Sequence, residues 1–331
     1  MIASPVSDEA DIVWPMSLEF VIAVAVLIGL ALFLLNEVRR QDGPMQLGQR
    51  LRWKKRVRIA LASLPFIVAC FVFFGFFIEP NRLVVHQQTI AIANWPKELS
   101  GLRIAVLSDI HVGGAFIDER KLKLIVERTN ELRPELIVIL GDYMSGEGRS
   151  SHRVEPEVFG PSLQGFQAPL GIYSVLGNHD WWYNGEKVRR ELEANGIKVL
   201  DNEVARVEKN GRTFWLAGLA DLWTRPQRIA QTVDKIPAGE PMIALTHNPD
   251  IFPNLPEHVP LLLAGHTHGG QVQFPFIGSV VAPSRFGNRF VEGHVFENGH
   301  HLFVTTGIGT SIVPVRFAVP PEIVLLTITT Q

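Results

Sequence analysis

Histidine and carboxylate residues follow five apolar segments of the chain, and their types suit metal-dependent chemistry. The clearest segment is Leu261–Val272, where an aliphatic run ends abruptly in Gly265-His266-Thr267-His268 and two further glycines. The aliphatic run predicts a buried strand, and the glycines let the backbone turn tightly at its end. Two imidazoles at one strand end suggest metal binding, although histidines also serve as hydrogen-bonded core residues.

Four other apolar runs end in the same kinds of side chain. Open α/β sheets place their sites outside the carboxyl ends of the strands, so groups that are scattered along the chain can converge there. One such strand end is usually only structural, whereas five together predict a site. In chain order the other four runs end in Asp109-Ile110-His111, Gly141-Asp142, Gly177-Asn178-His179-Asp180 and His247.

These residue types suit a metal centre that can act on a phosphoryl group. Imidazoles suit borderline transition metals, and a carboxylate has two oxygens that can bridge a pair of ions. Two ions roughly 3.5–4 Å apart can clamp a phosphoryl group and hold a hydroxide for in-line attack at phosphorus. The sequence contains no Gly-x-Ser-x-Gly elbow, P-loop or dinucleotide fingerprint. The net charge of −2 gives no reason to expect a nucleic-acid partner.

The body of the chain predicts one α/β domain of two packed sheets flanked by helices, because apolar strands alternate with helical segments and no linker divides them. We expect a surface loop at Ser145–Ser162 and a hairpin at Val199–Leu219, turning at Asn210-Gly211. The predicted strands are Arg103–Asp109, Leu136–Asp142, Gly171–Leu176, Met242–Thr246 and the start of Leu261–Val272. The predicted helices are Lys121–Leu132, Glu186–Ala194 and Arg225–Ile236, and Gln271–Thr329 supplies a second sheet.

Two apolar segments precede this body and predict a membrane anchor. Leu18–Leu35 contains one charged residue, Glu19, and Ile59–Ile78 contains none. Each approaches the length that spans a bilayer, which predicts transmembrane helices at about residues 16–35 and 59–78. The alternative is a pair of buried core helices. The only cysteine, Cys70, lies in the second segment, so no disulfide within the chain is possible.

The loop between these segments sets the predicted orientation. Asn36–Arg58 carries eight basic residues against Glu37 and Asp42, and the positive-inside rule places such a loop in the cytoplasm. Both ends of the hairpin would then lie outside the cytoplasm. We therefore expect an integral protein of the bacterial inner membrane. Residues 1–80 would form the hairpin, residues 81–101 a connector, and residues 102–331 an extracytoplasmic catalytic domain.

The five motifs, D-x-H, GD, GNHD, H and GHxH, resemble in full and in order those of the calcineurin-like metallophosphoesterases. The resemblance covers about Leu102 to the C-terminus and implies a four-layer αββα sandwich with two divalent transition-metal ions, such as Mn, Zn, Fe or Co. It implies that Asp109, His111 and His268 hold one ion. Asn178, His247 and His266 would hold the other, with Asp142 bridging the two.

The resemblance also implies catalytic residues that do not bind metal. His179 would contact the substrate phosphate and protonate the leaving oxygen. Asp180 could orient His179, or it could simply cap a turn. The glycines Gly141, Gly177 and Gly265 would supply sharp turns that let the ligands face inward.

One departure from the family's motifs narrows the class of phosphoesterase that the chain resembles. Protein serine/threonine phosphatases continue the GD motif as GDxxDRG, whereas here Tyr143-Met144-Ser145-Gly146 follows Asp142. The apolar anchor and the tail from Gly307 to Ile323 resemble the membrane-associated bacterial phosphodiesterases instead. Within this tail, Arg316 could reach a phosphate or serve a structural role.

The sequence leaves the substrate open. A phosphodiester or pyrophosphate fits, and Trp181-Trp182-Tyr183 after His179, with Trp223 and Phe286, would suit a lipid-linked molecule or a bilayer surface, although they could equally form an ordinary hydrophobic rim. The alternatives are a phosphomonoesterase, a nucleotide phosphodiesterase or a non-catalytic metal-binding membrane sensor.

Overall fold

The computed structural model describes residues 47–145, 154–274 and 276–331, with the isolated positions 29, 32, 33 and 36. The chain divides into two compact units, Met1–Phe74 and Gly75–Gln331. Apart from three of these isolated positions, the first predicted transmembrane segment, Leu18–Leu35, lies outside the described residues. The predicted hairpin therefore stays a prediction.

A long apolar helix dominates the described part of the first unit. Helix α1 (Leu47–Phe73) exposes large apolar side chains such as Leu61 and Phe66, as expected where lipid replaces water. Gly48–Asn81 is the one stretch of the described residues that is long and apolar enough to cross a membrane. Because α1 begins at Leu47, the last part of the predicted basic loop is helical.

The first sheet of the second unit has six strands in the order β1-β14-β2-β3-β4-β5. Strands β2 to β5 are parallel, and β14 is antiparallel to β2 but parallel to β1. The predicted connector at residues 81–101 therefore contains an edge strand. The strands are β1 (Val84–Ile92), β2 (Leu102–Leu107), β3 (Leu136–Ile139), β4 (Ile172–Ser174), β5 (Lys198–Val199) and β14 (Glu322–Thr330).

The second sheet has six strands in the order β12-β13-β9-β8-β7-β6, with a parallel centre and an antiparallel pair at each edge. The predicted hairpin at Asn210-Gly211 joins β6 to β7. The strands are β6 (Glu203–Lys209), β7 (Arg212–Gly218), β8 (Met242–Leu245), β9 (Leu261–Ala264), β12 (Gly293–Glu297) and β13 (His300–Val304). A separate two-stranded hairpin pairs β10 (Gln273–Phe274) with β11 (Gly278–Ser279).

Four short or medium α-helices belong to the described residues of the second unit. They are α2 (Glu119–Glu131), α3 (Pro156–Leu163), α4 (Asn178–Ala194) and α5 (Ile229–Val233). Asp118 caps the N-terminus of α2, since its carboxylate accepts a hydrogen bond from the Lys121 N–H. Helix α3 occupies part of the predicted surface loop, α4 begins eight residues before the predicted start, and α5 covers only the middle of its predicted range.

The apolar core forms three layers that place the helices outside and the sheets inside. Ile104 and Val106 of the first sheet share one cluster with Leu216 and Ile243 of the second, so the two sheets pack face to face. A second cluster joins the first sheet to α2, α3 and α4, and a third lines the outer face of the second sheet. This arrangement confirms the predicted sandwich of two mixed sheets flanked by helices.

Candidate metal centre

The loops after β2, β3, β4, β8 and β9 meet at one edge of the two packed sheets. Backbone hydrogen bonds fix their relative positions: the Asp109 N–H donates to the Gly141 carbonyl, and the Gly265 N–H donates to the His247 carbonyl, each at 2.9 Å. The His111 N–H likewise donates to the Asp142 carbonyl at 3.0 Å. Residues far apart in the chain are therefore held together by the backbone itself.

One group of potential ligands comprises Asp109, His111 and His268, all buried. The His268 Nε2 atom lies 3.3 Å from Asp109 Oδ1 and 3.1 Å from His111 Nε2. Two ring nitrogens and a carboxylate oxygen thus point at a common volume. Imidazole and carboxylate ligands together suit a divalent transition metal.

A second group comprises Asp142, His247 and His266, also buried. The Asp142 Oδ2 atom lies 3.2 Å from His247 Nε2, and His247 Nε2 lies 3.1 Å from His266 Nδ1. The same Oδ2 atom is 3.8 Å from His111 Nε2 of the first group. Asp142 therefore stands between the two groups.

Backbone carbonyls orient two of these rings. The His111 Nδ1 atom lies 2.9 Å from the Met144 carbonyl, and the His247 Nδ1 atom lies 2.7 Å from the Leu140 carbonyl. A carbonyl can only accept, so each Nδ1 carries the hydrogen and each neutral ring keeps a lone pair on Nε2. Such outer partners commonly fix the tautomer of metal-binding histidines.

The backbone carries unusual conformations at this site. Five of the candidate residues have a backbone φ between 51° and 71°, a region that residues other than glycine rarely adopt. They are Asp109, His111, Asp142, His266 and His268. Such strain commonly concentrates at functional sites. The expected turn glycines play different roles. Gly141 has a φ of 90°, whereas a Cβ atom at Gly177 or Gly265 would collide with the Asp142 or Asp109 carboxylate.

Burial and charge act in opposite directions on the site groups. Burial lowers the pKa of His111 to about 4 and of His266 to about 3, so both rings are neutral and can bind metal at pH 7. Burial alone would lower the pKa of His247, but Asp142 and Asp109 raise it to about 10. The buried carboxylates are thus stabilised by a nearby positive charge. Either a proton on His247 or a metal cation can provide it.

Several buried polar atoms at the site make no hydrogen bond with the described residues. They include Asp109 Oδ1, Asn178 Oδ1 and His266 Nε2. Leaving such an atom unpaired costs about 1–3 kcal/mol, so a native site normally supplies a partner. A metal ion is a suitable partner for carboxylate, amide and imidazole atoms alike, so the residues present fit the metal centre that the sequence predicts.

His179 stands beside both groups and is only partly buried. The ring Nε2 atom of His179 lies 4.0 Å from Asp142 Oδ2. The backbone N–H of His179 donates a hydrogen bond to Asp142 Oδ1 at 2.9 Å. Burial lowers the pKa of this ring. The Asp180 carboxylate faces elsewhere. It accepts backbone hydrogen bonds from Asp142, Tyr143, Met144 and Gly177, so it joins the third motif to the second and caps α4 instead of orienting His179.

Two of the five predicted aromatic residues flank the site. Trp182 packs edge-on against His179, Trp223 packs edge-on against His266, and the two indoles stack with centroids 6.3 Å apart. The other three lie away from this wall. Trp181 packs under the Arg225 guanidinium, the Tyr183 hydroxyl donates to Glu155, and Phe286 packs against Phe290.

Sequence reasoning missed Asp221, which positions this aromatic wall. Its carboxylate accepts hydrogen bonds from the N–H groups of Trp223 and Thr224 and from the Thr224 hydroxyl. Burial raises the pKa of Asp221, while the charge of His247 opposes that shift. The signal in the sequence is an aspartate two residues before tryptophan in an apolar context, which has no specificity by itself.

Arg316 is a structural residue. It is fully buried, and its guanidinium donates to the carbonyls of Thr306, Gly307, Gly309 and Val319. The Gly309 N–H in turn donates to the Asp109 carbonyl at 2.7 Å. Of the two roles that the sequence left open for this arginine, the geometry supports the structural one.

Comparison with known proteins identifies the family. The family model described as calcineurin-like phosphoesterase matches residues 102–270. The metallophosphoesterase YkuE of Bacillus subtilis is 31% identical over 76% of this chain and 87% of its own length. The phosphodiesterase YaeI of Escherichia coli is 30% identical over 76% of this chain and 92% of its own length.

A vertebrate relative is named for both a metallophosphoesterase domain and a transmembrane protein. The zebrafish transmembrane protein with metallophosphoesterase domain is 30% identical over 84% of this chain, which spans 66% of that protein. With one helix long enough to cross a bilayer among the described residues, this relative indicates a membrane-anchored protein. The motifs, the fold and these matches together show that the chain belongs to the calcineurin-like phosphoesterase family and is a metal-dependent phosphoester hydrolase.

Proposed function

We propose that the site binds two divalent transition-metal ions, with Mn, Zn, Fe or Co as candidates. Asp109, His111 and His268 would hold the first. His247, His266 and the Asn178 amide oxygen would hold the second, and Asp142 would contact both. The observation that carries this proposal is the position of Asp142 Oδ2, within 3.8 Å of a ring nitrogen in each ligand group.

The proposed reaction is the hydrolysis of a phosphodiester or pyrophosphate bond. The bound ions would supply a hydroxide nucleophile and stabilise the charge on the phosphoryl oxygens. His179 lies outside the two fully buried triads, although it forms a third, partly exposed group with His111 and Asp142. We assign it to contact the phosphate and give a proton to the leaving oxygen. The Asp180 carboxylate would act as a positioning group through the backbone of residues 142–144.

Two observations favour a diester over a phosphoprotein. Tyr143 and Met144 stand where phosphoprotein phosphatases of this family continue toward an Asp-Arg pair, and Tyr143 is wholly buried in the core. A similar protein, YaeI, is named a phosphodiesterase. The exposed wall of Trp182 and Trp223 beside His179 and His266 favours a substrate with an apolar portion, such as a lipid-linked phosphodiester.

The metal and activity proposals are tested together on the purified full chain in detergent. After reconstitution with manganese, elemental analysis should find two ions per chain, and bis-p-nitrophenyl phosphate should be hydrolysed faster than p-nitrophenyl phosphate. A ratio below one ion per chain would overturn the two-ion site. A preference for the monoester would favour the phosphomonoesterase alternative, and a metal-loaded protein without turnover would favour the sensor.

The proposed location is the bacterial inner membrane, with the catalytic domain of residues 102–331 outside the cytoplasm. The support is the basic composition of residues 36–58 and the long apolar helix that follows. Alkaline phosphatase fused after Gln331 should be active in cells, because that enzyme works only outside the cytoplasm. An inactive fusion, with a matching cytoplasmic reporter active, would reverse the orientation.

A further inference from the structure

An uncharged apolar surface lies next to the candidate metal centre. It is formed by the β10–β11 hairpin with residues 280–281 and by the segment 311–315, which contain no charged residue. Seven of its members expose large apolar side chains: Phe274, Phe276, Ile277, Val280, Val281, Ile312 and Val313. We call this surface the apolar rim. Contiguous exposed apolar groups of this kind usually mark an interaction site.

The two segments of the apolar rim form one connected structure. The Gln271 side chain accepts a hydrogen bond from the Ser311 N–H at 2.6 Å and donates to the Val313 carbonyl at 3.2 Å. The Gln273 N–H donates to the Phe317 carbonyl, and the Phe274 and Phe317 rings lie 5.7 Å apart. The hairpin and the 311–315 segment therefore present their apolar side chains from a shared base.

The apolar rim borders the catalytic groups directly. Ser311 Oγ lies 3.4 Å from His179 Nε2, and the backbone of Gly309 is bonded to that of Asp109. The hairpin itself begins five residues after His268. Anything that covers the apolar rim therefore lies at the mouth of the site.

The apolar rim also adjoins the residues at which the chain leaves the candidate membrane span. The second unit begins at Gly75, whose carbonyl accepts a hydrogen bond from the Arg316 N–H at 3.0 Å. A Cβ atom at Gly75 would meet the side chains of Val315 and Phe317 at 3.4 and 3.8 Å. Phe77 and Ile78, still within the span, are exposed. Gly75, within the candidate span, thus lies against residues 315–317, which adjoin the apolar rim.

We propose that the apolar rim inserts into the boundary between headgroups and acyl chains of the membrane that anchors the chain. Two arguments select lipid as the occupant. Residues 315–317 join the apolar rim to Gly75 of the candidate span, and Phe, Ile and Val without charge suit a shallow apolar insertion. The site then opens at the membrane surface, where the phosphodiester of a lipid headgroup reaches it without leaving the bilayer. This last consequence rests on the proposed hydrolytic function.

The insertion is tested on the full chain in vesicles of phosphatidylcholine and phosphatidylglycerol. In a Cys70→Ala background, single cysteines introduced by Ile277→Cys and Ile312→Cys carry a fluorescent bimane, and a brominated lipid serves as a short-range quencher. Both positions are well exposed, at 70% and 89%. Phe296→Cys is the matched control, because Phe296 is 60% exposed but pairs with His301 at the end of the second sheet away from the site.

The brominated lipid should reduce the fluorescence at positions 277 and 312 by about half and leave position 296 unchanged. Equal, weak quenching at all three positions would overturn the insertion. Self-quenching that grows with the protein-to-lipid ratio, without bromine quenching, would also overturn it and indicate a second copy of this chain as the occupant. Metal content and hydrolysis of bis-p-nitrophenyl phosphate, measured on each labelled variant, confirm that it is folded.

The substrate consequence is tested with Ile277→Asp/Ile312→Asp, in vesicles that contain phosphatidylethanolamine, phosphatidylglycerol and cardiolipin. Mass spectrometry should show that the wild type cleaves a phospholipid about tenfold faster than the variant, while both hydrolyse bis-p-nitrophenyl phosphate at equal rates. Equal rates on the phospholipid, or none by an active wild type, would overturn this consequence. Inactivity of the wild type on the soluble diester would instead count against the proposed function and leave the quenching result in force.

Discussion

The two sheets contribute different chemistry to one site. The loops after β2, β3 and β4 of the first sheet provide every carboxylate among the candidate ligands and the amide, together with His111 and His179. The loops after β8 and β9 of the second sheet provide imidazoles alone: His247, His266 and His268. Negative charge is thus concentrated on one side of the interface. The two sheets must keep their relative position for the two kinds of ligand to meet. The apolar core between the sheets holds them in that position.

The largest effect is expected from Asp142→Asn, which removes the charge that links the two halves. Activity should fall below detection and bound metal should drop to one ion per chain or fewer, because an amide does not replace a bridging carboxylate. Elemental analysis and bis-p-nitrophenyl phosphate turnover measure both. The control is Asp250→Asn, a buried carboxylate outside the proposed ligand set that accepts hydrogen bonds from the Ser284 hydroxyl and the Arg285 N–H. Full metal content in Asp142→Asn would contradict the bridging role.

A smaller effect is expected from His179→Ala, which removes a first-sheet imidazole that we propose lies outside the metal ligands. Turnover should fall by roughly 10² to 10⁴, the range typical of a general acid, with two ions retained. His300→Ala is the control, since His300 is also buried but bonds the Val259 carbonyl at the opposite end of the sheet. Loss of an ion in His179→Ala would make that residue a ligand.

Arg316→Met tests the chain segment that crosses from β13 of the second sheet to β14 of the first. Without the guanidinium, four buried carbonyls each lose a donor, although the Gly307 carbonyl still accepts from the Glu322 N–H. We expect a loss of about 3 kcal/mol in stability and about tenfold in turnover. Thermal unfolding and kinetics measure these. Arg316→Lys should recover little, because one ammonium cannot reach four carbonyls in the fixed fork geometry of arginine. Full recovery by lysine would show that the charge alone matters.

The smallest effect is expected from Glu292→Gln. The Glu292 carboxylate precedes β12 of the second sheet and lies next to Gly269. Burial raises the pKa of Glu292 to about 7 from 4.5. The folded protein therefore binds more protons than the unfolded chain between these values, and this group's stabilisation is full below pH 4.5 and is lost as the pH rises to 7. Glutamine should reduce that loss by about 2 kcal/mol, seen as a flatter dependence of Tm on pH. Parallel Tm curves would contradict the shift.

The sequence predicted the strand ends and the convergence of their polar groups because the signal is local. An apolar run followed by glycine and a ligating residue needs no knowledge of distant contacts. Non-local features escaped prediction. Strand β1 pairs with β14 across more than two hundred residues, Arg316 finds its carbonyl partners only in the folded crossing segment, and Asp180 turns to the backbone of a neighbouring motif.

Local conflicts account for the misplaced helices. Helix α3 contains Gly160 and an internal Pro161, so its sequence resembles a loop, and its packing on Asn195 and Glu191 of the α4 end supplies what its propensity lacks. The predicted helix at Arg225–Ile236 shrank to α5 because the Asp221 turn and Pro226 occupy its first part. Tertiary contacts thus overrode local preference in the first region, whereas a local turn shortened the helix in the second.

The pairing of β14 also dictates when the enzyme can form during synthesis. This strand lies between β1 and β2, so two early strands of the chain wait for a neighbour that is translated long after them. Long-range pairing of this kind is slow and leaves strand edges open in the meantime. Until residues 322–330 are synthesised, β1 and β2 have no strand between them, and the edge of the strand that precedes Asp109 is unpaired. The nascent chain that follows α1 therefore cannot complete its first sheet.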